Sequence, residues 1–196
     1  MTAIVILAAG SSSRFGSAKQ NLVYGNQTLL QNAVKNALAA NKNVIVVLGA
    51  NCEDIAYTIK EKPVNILYNT NWSRGMATSI VMAIEDIQTS YLNIDSTIFM
   101  LCDQPFVDEK LLQQLIDTAQ TTEKGIVASE YNNTQGVPAL FKQKYFPYLL
   151  ALKGIEGARK LLLQHVDDLE SIPFPLGSID IDTAEDWERL NQKETR

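Results

Sequence analysis

The sequence predicts an α/β fold of three layers, with a mostly parallel sheet between two layers of helices. Two observations lead to this fold class. Short apolar runs rich in Val and Ile recur along the chain, and most are continuous rather than alternating, as in strands that are buried on both faces. Segments in which apolar residues follow the helical period come after most of these runs. Such alternation of strand and helix is typical of domains with right-handed crossovers.

The predicted elements follow in chain order. Strands are predicted at residues 3–8, 44–48, 64–67 and 98–102, and a weaker one at 126–128. Apolar stripes predict three helices, through Leu29, Leu30, Ala33, Val34, Ala37 and Leu38, through Met76, Ile80, Ala83, Ile84 and Ile87, and through Leu111, Leu112, Leu115, Ile116 and Ala119. Asp108 is placed to cap the third helix, with Glu109 in its first turn.

The alternation weakens after about residue 130. Residues 131–136 are polar and predict a turn, residues 137–141 are apolar, and helices are predicted at 158–165 and 184–190. We interpret this last third as an elaboration that closes over the sheet. A chain of 196 residues suits one globular core, so we expect a single domain over residues 1–196.

Composition excludes several classes of protein. The net charge is −5, with acidic and basic residues interspersed and 46% of residues hydrophobic, so nucleic acid is not an expected partner. Cys52 and Cys102 show neither a disulfide pattern nor metal-ligand spacing. The N-terminus lacks the positive charge of a signal peptide, and its apolar run is too short to span a bilayer. We therefore expect no membrane partner and a cytoplasmic location.

The loop after the first strand is the most informative stretch of the sequence. Leu7, Ala8, Ala9 and Gly10 lead into three serines, followed by Arg14, Gly16 and Lys19. Small residues let backbone N–H groups approach a polyphosphate, and the two cations can neutralise its charge. An ordinary strand-to-helix turn is the alternative. The spacing matches neither a Walker loop nor a dinucleotide-binding loop.

Two acidic positions are candidate metal ligands. Asp103 ends the fourth strand, where ligands of parallel sheets collect, and a carboxylate there could hold Mg²⁺; an Asx turn is the alternative. Asp180 and Asp182 precede the last predicted helix and alternate onto one face. Helix capping by Asp182 or Thr183 is an equally natural use of these residues.

These motifs together resemble the molybdopterin-type nucleotidyltransferases, and in particular their molybdenum cofactor cytidylyltransferase branch. The matching residues are Leu-Ala-Ala-Gly with Arg14, Gly16 and Lys19, then Asp103-Gln104-Pro105, Gly75-Met76 with Ser79, and Asp182-Thr183-Ala184-Glu185-Asp186. The resemblance covers nearly the whole chain. It implies a single-domain, Rossmann-like fold of the GT-A type, the nucleotide-diphospho-sugar transferase fold.

The resemblance also implies roles for individual residues. The nucleotide-binding residues would be Leu7, Ala8, Ala9, Gly10, Arg14, Lys19, Gly75 and Ser79. The catalytic residues would be Lys19, Arg14 and Asp103. Asp103 and Asp182 would bind Mg²⁺, with Asp180 as the runner-up to Asp182.

The chain departs from the family pattern at a few positions. Val23, Thr28 and Ala184 stand where the family commonly has Pro, and Ile155 stands at an Asp position of a Gly-Asp-x-Gly-Ala-Arg element. None of these is a proposed phosphate ligand. His165, the single histidine, lies near a helix end and has no nucleophile pattern around it, so we interpret it as structural.

The implied reaction is Mg²⁺-dependent transfer of CMP from CTP to the phosphate of a molybdopterin-type cofactor, with release of pyrophosphate. CTP is favoured because Ala9 stands where the guanylyl-transferring branch often has Gly. A molybdenum hydroxylase is a possible client. The alternatives are a nucleotidyltransferase for a sugar or polyol phosphate, a guanylyl-transferring relative, and a non-catalytic nucleotide-binding assembly factor for a molybdenum enzyme.

Overall fold

The computed structural model describes residues 1–11, 18–181 and 185–188. The strands are β1 (Thr2–Ala8), β2 (Val23–Tyr24), β3 (Gln27–Thr28), β4 (Val44–Leu48), β5 (Asn65–Tyr68), β6 (Ser96–Leu101), β7 (Ile126–Tyr131), β8 (Thr134–Lys142) and β9 (Leu169–Pro173). The α-helices are α1 (Leu29–Ala40), α2 (Cys52–Tyr57), α3 (Met76–Ser90), α4 (Glu109–Thr121), α5 (Phe146–Leu150) and α6 (Arg159–Gln164). Short 3₁₀ turns connect several of them.

Seven strands form one sheet in the order β5-β4-β1-β6-β8-β7-β9, and β2 pairs with β3 in a separate hairpin. The strands β5, β4, β1 and β6 are joined by parallel pairing. Within the described chain, β8 is the strand of this sheet that runs against its neighbours. The expected mostly parallel sheet is therefore confirmed.

Both faces of the sheet are covered, which confirms the three layers. On β1, Ile4 and Ile6 belong to a buried cluster that includes apolar residues of α1 and α4. Ala3 and Val5, which point to the other face, belong to a second cluster with apolar residues of α3, α5 and α6. This arrangement explains why β1 is a continuous apolar run, since all seven of its residues are buried.

The predicted strands are confirmed in β1, β4, β5, β6 and β7, and the three striped helices in α1, α3 and α4. The cap of α4 is confirmed as well, because the side chain of Asp108 accepts a hydrogen bond of 2.9 Å from the amide of Leu111. At α1, Thr28 and Gln31 form a capping box. A side-chain cap at Thr28 gives the helix a defined start without the proline that the family commonly has there.

The region after residue 130 is more ordered than its polarity predicts. Residues 131–136 were expected to form a turn, but the turn consists of Asn132 and Asn133 alone, with φ of 50° and 57°. Asparagine tolerates this left-handed conformation, and a two-residue connection of this kind suits a tight hairpin. The expectation of a six-residue turn is therefore wrong, and strands β7 and β8 take up the other residues.

Five further elements are not predicted by the sequence patterns, namely β2, β3, α2, α5 and β9. Each has between two and six residues, too few for a periodic signal. The helix expected at 158–165 is confirmed as α6. Of the helix expected at 184–190, residues 185–188 are helical and the others lie outside the described residues. No helix in the described ranges has both the length and the apolar character needed to cross a bilayer.

Candidate active site

A cavity of about 430 Å³ opens at the carboxyl ends of β1 and β6. These strands are neighbours, with Leu7 paired in register with Leu101. After β1 the chain adds β4 and β5 on one side of β1 and then returns to add β6 on the other side, so the strand order reverses between β1 and β6. Ligands of open α/β sheets bind at such a switch point. The cavity is lined by Leu7, Ala8, Ala9, Gly10, Lys19, Gln20, Trp72, Gly75, Met76, Ser79, Leu101, Cys102, Asp103 and Asp180. Most of the residues expected to bind the nucleotide therefore surround one space.

The end of β1 is fixed by a side chain that the motif analysis did not select. The Nε2 atom of Gln20 donates hydrogen bonds to the carbonyl oxygens of Ala8 (2.9 Å) and Gly10 (3.0 Å), and Gln20 is 2% exposed. This amide orients the backbone at the start of the glycine loop. Residues 12–17 of that loop, which include Arg14, lie outside the described residues.

Lys19 and Asp103 meet at the cavity although 84 positions separate them in the sequence. Lys19 Nζ lies 3.0 Å from Asp103 Oδ2, and the two side chains are 14% and 20% exposed. The other carboxylate oxygen, Oδ1, is buried and has no hydrogen-bond partner among the described residues. A buried carboxylate oxygen without a partner is costly unless a ligand satisfies it, so this atom is positioned to receive a cation.

The second acidic segment approaches the same aspartate. The amide of Ile181 donates a hydrogen bond of 3.1 Å to the carbonyl oxygen of Asp103. Ile181 is 1% exposed and packs in a cluster with Leu29. Its neighbour Asp180 is exposed and lines the cavity. Asp182 lies outside the described residues, so Asp180 is the acid of this segment that the structure brings to the site.

The start of α3 forms the wall opposite the acidic residues. Gly75 has φ of 113°, and a Cβ atom there would overlap the carbonyl oxygen of Gly154. That oxygen accepts a hydrogen bond of 3.1 Å from the amide of Ala77. One first-turn amide of α3 is therefore used within the protein and is not open to a ligand.

Ser79, the predicted nucleotide contact within α3, is hydrogen-bonded to a buried side chain of the protein. It is 3% exposed, and its hydroxyl oxygen accepts a hydrogen bond of 2.9 Å from the side chain of Asn69. Asn69 is itself buried and also donates to Thr78. The hydroxyl hydrogen of Ser79 can rotate to suit a partner in the cavity. Asn69 follows β5 without any motif that would mark it in the sequence.

Trp72 is a further lining residue that sequence reasoning did not select. A Cβ atom at Gly49 would lie 2.6 Å from both the Cβ atom of Trp72 and the carbonyl oxygen of Ala9. Glycine at this position therefore lets Trp72 approach the end of β1. The residue lines the cavity together with Ala9 and Ser79, where an indole ring offers a flat apolar surface to a nucleobase.

Two cysteines and the histidine lie outside the chemistry. Cys102 and Cys52 are free thiols, and burial, followed by the charge of Asp103, raises the pKa of the Cys102 thiol well above its ordinary value. A thiol in this state is a poor nucleophile. The His165 ring packs edge-on against the rings of Tyr145 and Tyr148, with centroids 5.0 Å and 5.1 Å away, which agrees with a structural role.

A larger cavity of about 930 Å³ lies at the opposite edge of the sheet. Its lining includes Thr2 and Ser96, at the amino ends of β1 and β6. The hydroxyl groups of these two residues hydrogen-bond to each other at 2.9 Å, so they satisfy one another. The smaller cavity combines the carboxyl ends of the strands with a paired cation and carboxylate, and we assign the chemistry to it.

Comparison with known proteins shows which family this chain resembles. A family model described as a MobA-like NTP transferase domain matches residues 4–169. The molybdenum cofactor cytidylyltransferase of Escherichia coli K12 is 24% identical over 194 residues, which cover 97% of this chain and 96% of that protein. The bifunctional protein GlmU of Francisella tularensis subsp. novicida is 24% identical over 145 residues, which are 72% of this chain but only 30% of GlmU.

The fold also has close counterparts among solved structures. The structure of Rv0371c from Mycobacterium tuberculosis H37Rv, determined as a complex with manganese, superposes with a TM-score of 0.81. The superposition covers 97% of this chain and 98% of that one, at 24% identity. A similarity at this identity concerns the fold, whereas the family model matches most of the sequence. The chain belongs to the family of MobA-like NTP transferase domains.

Proposed function

We propose that this chain, as a single domain over residues 1–196, transfers CMP from CTP to the phosphate of a molybdopterin-type cofactor and releases pyrophosphate. The observation that carries the proposal is the meeting of Lys19 and Asp103 beside one cavity at the switch point of the sheet. The similarity to the E. coli cytidylyltransferase along almost the full length of both chains supports the choice of nucleotide and acceptor.

In this proposal the triphosphate lies along the end of β1 and the glycine loop. Backbone amides of the loop and the Lys19 ammonium group face its negative charge, with Arg14 as a second cation from the loop. Gln20 donates hydrogen bonds to the Ala8 and Gly10 carbonyl oxygens. These two oxygens therefore have a donor within the protein before the triphosphate binds. The base lies towards Trp72, Gly75 and Ser79.

The residues present suit a divalent cation, which we propose to be Mg²⁺. Asp103 Oδ1 is buried without a partner among the described residues, and Asp180 lines the same cavity. Asp103 and Asp182 would hold the ion, with Asp180 as the alternative to Asp182. Magnesium is commonly bound by one or two carboxylates together with substrate phosphates and water. When bound, the cation supplies neutralisation of the charge that builds up on the α-phosphate.

The transfer needs positioning and charge stabilisation rather than a covalent intermediate. An oxygen of the acceptor phosphate forms a bond to the α-phosphorus while the bond to the β-phosphate oxygen breaks, and pyrophosphate leaves with that electron pair. The acceptor phosphate is ionised near neutral pH, so no general base is required. Lys19, within reach of the loop and of Asp103, stabilises the negative charge as it spreads over the phosphates.

The setting of the reaction belongs to the same proposal. We propose a cytoplasmic location, in line with two unpaired cysteines. A molybdenum hydroxylase would be the client that receives the cytidylylated cofactor. A sugar phosphate or polyol phosphate as acceptor, a guanylyl product, and nucleotide binding without transfer are the competing outcomes.

Pyrophosphate release tests the proposal directly. We expect release to require Mg²⁺, and to be fastest with CTP and a molybdopterin-type acceptor when the four ribonucleoside triphosphates are each combined with that acceptor and with sugar phosphates. Faster pyrophosphate release with a sugar phosphate would show that the acceptor is a sugar phosphate and not a molybdopterin-type cofactor. Tight nucleotide binding without release from any pair would favour an assembly factor.

A further inference from the structure

Gln104, directly after Asp103, joins three separate segments of the chain. It is 5% exposed, and its Nε2 atom donates to the carbonyl oxygens of Val137 and Gly177, each at 3.2 Å. Its Oε1 atom is buried without a partner among the described residues. Both amide hydrogens are therefore used, and both connect the end of β6 to segments from the last third of the chain.

The segment at residues 177–181 is attached at both of its ends to the dipeptide Asp103-Gln104. Gln104 binds the carbonyl oxygen of Gly177, and the carbonyl oxygen of Asp103 accepts from the amide of Ile181. Asp180 lies between these two attachments and lines the cavity. The consecutive residues Asp103 and Gln104 therefore hold the stretch that carries Asp180 in place beside Asp103.

The position of Gly177 shows how closely this segment is packed. A Cβ atom there would overlap the ring of Tyr131 and lie 2.5 Å from the Cδ1 atom of Phe174. These two rings pack edge-on with centroids 6.3 Å apart. The backbone at Gly177, whose carbonyl oxygen Gln104 binds, therefore lies directly against these two rings.

We propose that Gln104 is a positioning residue for the cation, because its amide keeps the segment at residues 177–181 beside Asp103. This inference rests on the proposed function, in which Asp103 holds one divalent ion together with Asp182, directly after this segment in the sequence, or with Asp180 within it. Removal of the amide would take its donor from the Gly177 carbonyl oxygen and release one of the two attachments. The Val137 carbonyl oxygen would keep the Tyr131 hydroxyl group, at 3.4 Å, as a donor. Partners that orient metal ligands change metal affinity by about 10- to 100-fold when they are removed.

The test compares Gln104→Met, which keeps an unbranched side chain of similar length and removes the amide, with Asn36→Leu as a matched control. Asn36 Nδ2 donates to the carbonyl oxygen of Val107 at 2.9 Å, so this control also loses a side-chain hydrogen bond to the segment after β6. It leaves residues 177–181 untouched. Binding of Mn²⁺ is measured from the electron paramagnetic resonance signal of the free ion, at a temperature where circular dichroism shows each variant folded.

We expect Gln104→Met to raise the Kd for Mn²⁺ by about 10- to 100-fold, and Asn36→Leu to change it less than about twofold. Unchanged Mn²⁺ affinity in Gln104→Met, with a loss of stability similar to that of the control, would overturn the inference. If Gln104→Met does not fold, Gln104→Asn takes its place, because its shorter side chain moves the amide away from the Gly177 carbonyl oxygen. An unchanged Kd for Mn²⁺ in Gln104→Asn would then overturn the inference. A wild-type chain that transfers no nucleotide would refute the proposed function, while the Mn²⁺ comparison still decides the role of Gln104.

Discussion

At the scale of single residues, the proposed function depends on the pairing of one cation with one carboxylate beside the cavity. Lys19 and Asp103 are each less than a quarter exposed, so each makes the burial of the other's charge less costly. One oxygen of Asp103 faces Lys19 and the other has no partner among the described residues. This arrangement gives the two residues separable roles, which single substitutions can test.

Asp103→Asn should leave the fold nearly intact and remove Mg²⁺-dependent turnover, because it keeps the side-chain volume and removes the charge that binds the cation. Thermal unfolding and kcat at saturating Mg²⁺ are the measurements. Asp117→Asn, an exposed position on α4, is the control for loss of a carboxylate. A wild-type kcat in Asp103→Asn would show that the metal site lies elsewhere.

Lys19→Ala should lower kcat more than it raises the KM for CTP, if the ammonium group meets charge that grows in the transition state. Steady-state kinetics over a range of CTP concentrations separate the two constants. Lys35→Ala, which removes an exposed lysine of α1, should change neither. An increase in KM with kcat intact would limit Lys19 to binding the substrate.

The sequence could identify Lys19 and Asp103 because each belongs to a local motif at the end of a buried strand. It gave no role to Gln20 or Asn69, and none to Gln104 although Gln104 lies within the Asp-Gln-Pro motif. These side chains matter because they contact backbone or side-chain atoms that are ten or more positions away in the sequence. No spacing of residue types predicts such contacts.

At the scale of elements, the start of α3 and the loop that contains Gly154 are in direct backbone contact. The amide of Ala77 donates to the Gly154 carbonyl oxygen, and the absence of a side chain at Gly75 permits the approach. This contact links one wall of the nucleotide cavity to the last third of the chain. The sequence indicates that Gly75 is important, but it gives no sign of the partner loop.

Gly75→Ala should destabilise the protein by about 1–3 kcal/mol and raise the KM for CTP, because φ of 113° is unfavourable for alanine and its Cβ would overlap Gly154. Urea unfolding and kinetics measure the two effects. Gly25→Ala is the matched control, since Gly25 also has positive φ (62°) but would place a Cβ in open space. Equal losses of stability in both variants would exclude the overlap as the cause.

Gly125 and Asp168, which directly precede β7 and β9, are connected through the Asp168 side chain. The side chain accepts hydrogen bonds from the Tyr145 hydroxyl (2.6 Å) and the Gly125 amide (3.0 Å), and Lys144 Nζ lies 2.7 Å away. Burial opposes ionisation of Asp168, but these donors outweigh it and lower its pKa from 3.8 to about 2. The ionised carboxylate therefore stabilises the folded state.

The sign of this pH dependence is fixed by the lowered pKa. The stabilisation is complete above about pH 5, where the carboxyl group is ionised in both the folded and the unfolded state, and it is lost as the pH falls through the folded pKa near 2. Asp168→Asn should therefore be less stable than wild type at pH 7, and the difference in the free energy of unfolding should narrow at pH 3. Urea titrations at the two pH values measure it. If wild type and Asp168→Asn differed in the free energy of unfolding by the same amount at both pH values, the charge of Asp168 would not contribute to stability.

At the scale of the whole molecule, the sheet was more predictable in its first half than in its second. Apolar runs in the sequence predict the strands β1, β4, β5 and β6. The helical segments between these runs predict crossover connections, and crossover connections join parallel strands. The hairpin of β7 and β8 was missed in part, because the polar residues 131–136 belong mostly to strands. These strands complete a mixed sheet, and their pairing is decided by contacts across the chain.

The proposed reaction of the whole molecule is metal-dependent transfer of CMP at this cavity. The most direct measurement mixes CTP and GTP at equal concentration with Mg²⁺ and a molybdopterin-type acceptor, and identifies the product nucleotide by mass. We predict a cytidylylated product in excess by at least about tenfold, or about 1.4 kcal/mol, and none with Asp103→Asn. A guanylylated product in excess, or equal product from Asp103→Asn, would contradict the account.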